Sequence, residues 1–219
     1  MSGTIAVRGT GKVSVPPDNI IISVTLSAED KEYSAAMDKA SAMIESLRSR
    51  IAKAGFSGSD LKTSYFNVRT EYDSVQDEHG RYTNIFRAYN CVHSMKLEFD
   101  LDLDRLNRAL TAFSAGEAAP ELSISFTVKD EEAVNSELLR NAAENAREKA
   151  ETLCAASGKK LGELIKIEYN WDDHSFVSPT RCEMNDCAPR MLGAAMKSVS
   201  IVPDNIQLSD TAAFIWNME

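Results

Sequence analysis

Read for the spacing of its apolar positions, the chain switches repeatedly between two periods. Ile20, Ile22, Val24 and Leu26 alternate with Ile21, Ser23, Thr25 and Ser27, a period of two that gives a strand one buried face. Pro16 and Pro17 stand just before it, where a missing N–H costs no ladder bond. Ala36, Met37, Ala40, Met43, Ile44, Leu47, Ile51 and Ala54 then recur at threes and fours, one stripe on a helix that Gly55 ends. Asp38, Lys39, Glu45, Arg48 and Arg50 form its solvated face. Strand period returns at Phe66, Val68, Thr70 and Tyr72, and the polar run DSVQDEHGRYTN predicts the long loop of a hairpin whose second strand carries Val92, Met95, Leu97 and Phe99.

Leu103, Leu106, Ala109, Leu110 and Phe113 predict a shorter helix, and Leu122, Ile124, Phe126 and Val128 a strand. Asp130 is placed to cap a long helix, with Glu131 and Glu132 where its dipole favours negative charge. That helix carries Leu139, Ala142, Ala143, Ala146, Ala150, Leu153 and Cys154 inward and spans on the order of 40 Å. Leu164, Ile165, Ile167 and Tyr169 predict a strand. After an irregular segment at 171–198, Ile206, Leu208, Ala212, Phe214 and Trp216 share one face of the last strand.

The fold class that follows is α+β: two similar strand–helix–strand–strand units with a long helix and mixed or antiparallel sheets. The chain reads as one domain over 1–219, or as two closely packed subdomains at about 16–100 and 121–217. The phrases VPPDNI at 15–20 and VPDNI at 202–206 open similar strands. Duplication explains them, and so does the general use of Pro-Asp-Asn as turn chemistry leading into edge-proximal strands.

Composition narrows the function classes. Lys+Arg 24 against Asp+Glu 33 leaves a net charge of −9, with no basic run to neutralise phosphates, so no nucleic-acid partner is expected. No apolar run is long enough for a transmembrane helix. The first residues pass straight into strand alternation without a basic, apolar and small-residue leader, so the cytoplasm is the expected compartment; the periplasm or cell envelope is the alternative if a leader has been removed. Four cysteines (Cys91, Cys154, Cys182 and Cys187) are too few for a disulfide scaffold.

Several short motifs invite chemistry. GTGK at 9–12 lacks the following Ser/Thr and the loop context of a phosphate loop; its glycines read as a bulge or a close strand approach. DLDLD at 100–104 has calcium-loop spacing, but Arg105 stands where glycine is needed, and Asp102 or Asp104 reads as a helix cap. SDLK at 59–62 lacks the partner motifs of a serine–lysine nucleophile and reads as a turn. His174, Cys182 and Cys187 have spacing that a tetrahedral zinc site can use, with a Cys182–Cys187 redox disulfide or plain loop thiols as alternatives; no cofactor follows from spacing alone. Met184, Met191, Leu192 and Met196 are candidates for an adaptable contact surface.

Longer blocks carry a resemblance. VRGTGKVSVPPDNI, GFSGSDLKTSYFNVRTEY, RAYNCVHSMKLEF, AREKAETLCAASGKKLGELIKIEY and PRMLGAAMKSVSIVPDNIQLS resemble the SIMPL-domain family (DUF541) in family order, from about 5 to about 215. The resemblance extends to bacterial periplasmic immunogenic proteins of the 26/28 kDa type. It implies an α+β protein that self-assembles as a homo-oligomer, presents surfaces to other proteins and takes part in a stress response. It carries over no catalytic residue. The expected function is therefore non-enzymatic; the alternatives are an enzyme with a dispersed site drawing on Arg8, Asp18, Arg87 or His93, or a thiol-based redox sensor.

Overall fold

A computed structural model describes residues 3–76, 80–115, 120–170, 174–184 and 201–219. In chain order the elements are β1 (Gly3–Val15), β2 (Asn19–Asp30), α1 (Tyr33–Lys53), β3 (Leu61–Gln76), β4 (Tyr82–Asp100), α2 (Leu103–Ser114), β5 (Glu121–Thr127), α3 (Glu131–Ala156), β6 (Leu161–Glu168), β7 (Cys182–Met184) and β8 (Ile206–Met218). The architecture is α+β with two sheets, ordered β1-β8-β6 and β3-β4-β2-β5-β7, and every strand pair whose register is described is antiparallel. The chain divides into two compact units: a terminal unit of Met1–Asp18, Phe126–Thr180 and Pro203–Glu219, and a central unit of Asn19–Ser125 and Arg181–Val202.

In the terminal unit, β1 and β8 pair without interruption from Gly3↔Met218 to Val15↔Ile206. Their inward residues Val7, Val13, Ile206, Leu208, Ala212, Phe214 and Trp216 form the core with Val134, Leu138, Ala146 and Ala150 of α3. Asp130 caps that helix, accepting from the Ala133 N–H at 2.8 Å, with Glu131 and Glu132 in the first turn. The glycines of the GTGK motif belong to this packing. A Cβ on Gly9 would lie 1.9 Å from the Ala142 carbonyl oxygen, and one on Gly11 would lie 2.0 Å from that of Leu138. They let a helix backbone settle on the strand, and β1 carries no bulge.

In the central unit, β2 and β4 present Ile20, Ile22, Val24, Met95 and Leu97 to the core, and Ala36, Leu47 and Ile51 of α1 and Leu106, Leu110 and Phe113 of α2 are also buried in this unit. Asp102 is the cap of α2, its carboxylate taking the Arg105 N–H at 2.9 Å, which accounts for the calcium-like DLDLD spacing. Asp60 and Ser57 close a turn in front of β3, as read for SDLK.

The strand alternation read in the first residues is a separate strand, β1, ahead of the Pro-Pro-Asp-Asn phrase. Two sequence expectations change. The two similar strands, β2 and β8, are interior strands of their sheets rather than edge-proximal ones. Within the stretch read as irregular, Cys182–Met184 form a short strand on β5 and Val177 bridges Thr127; residues 185–198 lie outside the described residues.

Candidate functional site

β3 and β4 are far longer than the sheet that anchors them. The β2–β4 pairing ends at Asp30↔Tyr89, whereas β3–β4 pairing continues to Gln76↔Tyr82. About seven residues of β4 therefore run on as a two-stranded ribbon, on the order of 20 Å at 3.3 Å per residue. The register Tyr72↔Phe86 and Gln76↔Tyr82 sets three aromatic rings along one face, and Val75 and Ile85 occupy the other. Tyr72 and Phe86 meet edge to face at 6.2 Å, and Phe86 meets Tyr89 at 5.1 Å. Even so, Tyr72 is 55% exposed, Ile85 54% and Tyr82 72%. Among the described residues β3 is also the outer strand of its sheet, so its outward N–H and C=O groups offer a template for another strand. Arg87 braces the base of the ribbon between Glu29 at 3.1 Å and Asp73 at 3.7 Å.

The sequence candidates fall as follows. Asp18 accepts from the Lys129 N–H at 2.9 Å, a turn role in the terminal unit. Arg8 lies on β1, and its carbonyl accepts from Lys149 Nζ at 3.1 Å. His93, in the central unit, has Nε2 2.7 Å from Thr63 Oγ1 and its ring edge-on to Phe66; its Nδ1 is buried without a hydrogen-bond partner among the described residues. Burial pushes His93 below the ordinary imidazole value, and the charge of Arg48 adds to that. Cys182 sits on β7 in the central unit and His174 in the terminal unit, and burial pushes the Cys182 thiol up. Cys187, Met191, Leu192 and Met196 lie outside the described residues; Met184 contributes the last backbone position of β7. Counting only His, Cys, Asp and Glu, the described residues hold no cluster of three suited to a metal.

His174 instead joins two residues that sequence reading passed over. Asp210 is buried on the inward face of β8, and its Oδ2 accepts from the Tyr169 hydroxyl at 2.6 Å and lies 3.2 Å from His174 Nε2. Its Oδ1 accepts from the Thr211 N–H at 2.6 Å. Burial raises Asp210, but the Tyr169, Thr211 and His174 contacts outweigh it and hold the carboxyl below its ordinary range. The signal was present in the sequence: the inward series Ile206, Leu208, Ala212, Phe214, Trp216 skips one position, and a carboxylate fills it.

Two antiparallel sheet-and-helix units, one of them extended by an exposed aromatic two-stranded ribbon, define an α+β protein. The chain belongs to the SIMPL family, described as a protein of unknown function (DUF541), whose profile matches residues 5–216. It is also similar to the 26 kDa periplasmic immunogenic protein of Brucella melitensis biotype 1, 24% identical over 163 residues. The match covers 74% of this chain and 65% of that protein's length. No helix among the described residues is long and apolar enough to cross a membrane, which says nothing of β-barrels.

Proposed function

We propose that this chain is a non-enzymatic, self-assembling member of its family, with the β3–β4 ribbon as its principal contact surface toward copies of itself and toward other proteins. The observation that carries the reading is the ribbon's exposed aromatic face beside a sheet edge that no other strand covers among the described residues. Covering a large apolar side chain returns roughly 1.5–3 kcal/mol, so leaving Tyr72, Tyr82, Ile85 and Phe86 in water is costly unless another surface meets them. Met184, Met191, Leu192 and Met196 are kept as a second contact, and a stress-related role rests on the family resemblance alone. The thiol-sensor alternative gains nothing from Cys182, whose raised pKa lowers its thiolate fraction.

Light scattering during size-exclusion chromatography tests this. The wild-type chain should run as a multiple of 24.1 kDa, and the pair Tyr72→Ser and Phe86→Ser should shift it toward the monomer without loss of far-ultraviolet circular dichroism. A monomeric wild type at micromolar concentration, or an unshifted variant, would refute the ribbon's role.

A further inference from the structure

Three side chains far apart in sequence bring hard donor atoms to one point in the terminal unit. The Tyr169 hydroxyl and His174 Nε2 approach the same oxygen, Asp210 Oδ2, at 2.6 and 3.2 Å. Two ligands at right angles on a cation, each bonded at about 2.0–2.1 Å, stand roughly 2.8–3.0 Å apart. The two separations fall on either side of that value, so a cation could replace the hydrogen bonds with small side-chain adjustments. The Thr211 N–H on Oδ1 orients the carboxylate, as outer hydrogen bonds do for metal-binding carboxylates. The Asp210 side chain is 4% exposed and that of His174 13%, so the carboxylate sits in a poorly solvated place where a cation's charge would be weakly screened.

From this geometry we infer that Tyr169, Asp210 and His174 form a binding site for a hard, highly charged cation of the iron(III) type. The donor set decides the class. A phenol with a pKa of about 10 is deprotonated at neutral pH only by a strongly polarising ion. A phenolate and a carboxylate are hard anionic oxygens, and imidazole suits iron among several metals. Binding exchanges protons for the cation: the Tyr169 hydroxyl proton leaves to solvent, the Nε2 proton of His174 leaves to solvent from a charged ring or is exchanged through solvent to Nδ1 in a neutral one, and no electron moves. The remaining coordination positions go to water or a small anion. The site does not depend on self-assembly and uses no cysteine.

Ferric nitrilotriacetate is the probe. Titrated into the full chain at neutral pH, it should develop the visible charge-transfer absorption of an iron(III)–phenolate bond and saturate near one equivalent. Tyr169→Phe should abolish the band while keeping the circular dichroism of the wild type. His174→Gln and Asp210→Asn should weaken binding about tenfold or more. Absence of a visible band in the wild type overturns the assignment, as does a band that persists in Tyr169→Phe. A band lost only in variants that have also lost their circular dichroism is resolved by Thr211→Ala, which keeps all three donor side chains and should still colour; a colourless Thr211→Ala of native circular dichroism counts against the site.

Discussion

His93 is a residue whose surroundings predict a pH effect with a definite sign. Its imidazole is partly buried against Phe66 and near Arg48, one ring nitrogen has no hydrogen-bond partner among the described residues, and its pKa is lowered from 6.5. In the unfolded chain the ring takes a proton as pH falls past about 6.5; in the folded chain it does so only at lower pH. Between those two values the unfolded state binds more protons, so stability rises with pH. His93 therefore exacts no penalty above about pH 6.5, and stability falls as pH drops through the window toward the folded value. Denaturant midpoints measured at a series of pH values should show that decline, and His93→Gln should flatten it. In the sequence His93 was one candidate among Arg8, Asp18 and Arg87 for a dispersed site, with nothing to show its surroundings. Its environment comes from β3 and α1, which local pattern does not place beside it.

At the scale of the element, the amphipathic segments were the most legible. The stripes of α1 and α2 and the alternation of β2, β5 and β8 follow their burial, because each buries one face. In α3 the read positions Ala142, Ala146, Ala150 and Cys154 are buried, but Leu153 faces out at 51% exposure and Val134 and Leu138 complete the inward stripe. The ribbon was not legible as strand. Val75 and Thr83 pair across it, yet 73–84 read as loop because both faces are wet and no buried–exposed alternation exists to detect. Of the two readings of the β1 glycines the close approach is the one seen, but the approaching backbone is that of α3, which strand pattern cannot name because it shows only neighbours along the chain. Gly9→Ala should lower the free energy of unfolding by about 1–3 kcal/mol, the usual range for overpacking a tight contact, as measured by urea denaturation. An unchanged midpoint would mean that α3 can lift off the strand without cost.

At the scale of the whole molecule, the two ends of the chain join one unit: Gly3 pairs with Met218, and α3 lies between them in sequence. The compartment is also a property at this scale. The cytoplasmic expectation rested on the first residues of the sequence, whereas the similar Brucella protein is named as periplasmic. That name is a property of the Brucella protein, and for this chain the periplasm or cell envelope stays the alternative to the cytoplasm. Fractionation of cells expressing the natural gene product decides between them: recovery with periplasmic markers favours the alternative, and retention with cytosolic enzymes the first expectation.

Element identity, helix caps and the α+β class were written locally, since a stripe, a capping aspartate or a turn depends on residues within a few positions of one another. Pairing was not. That β8 lies between β1 and β6, that Asp210 faces Tyr169 and His174, and that Tyr72 and Phe86 stay in water all depend on contacts between distant segments. Their energies exist only once the chain has closed on itself, so no window of the sequence contains them.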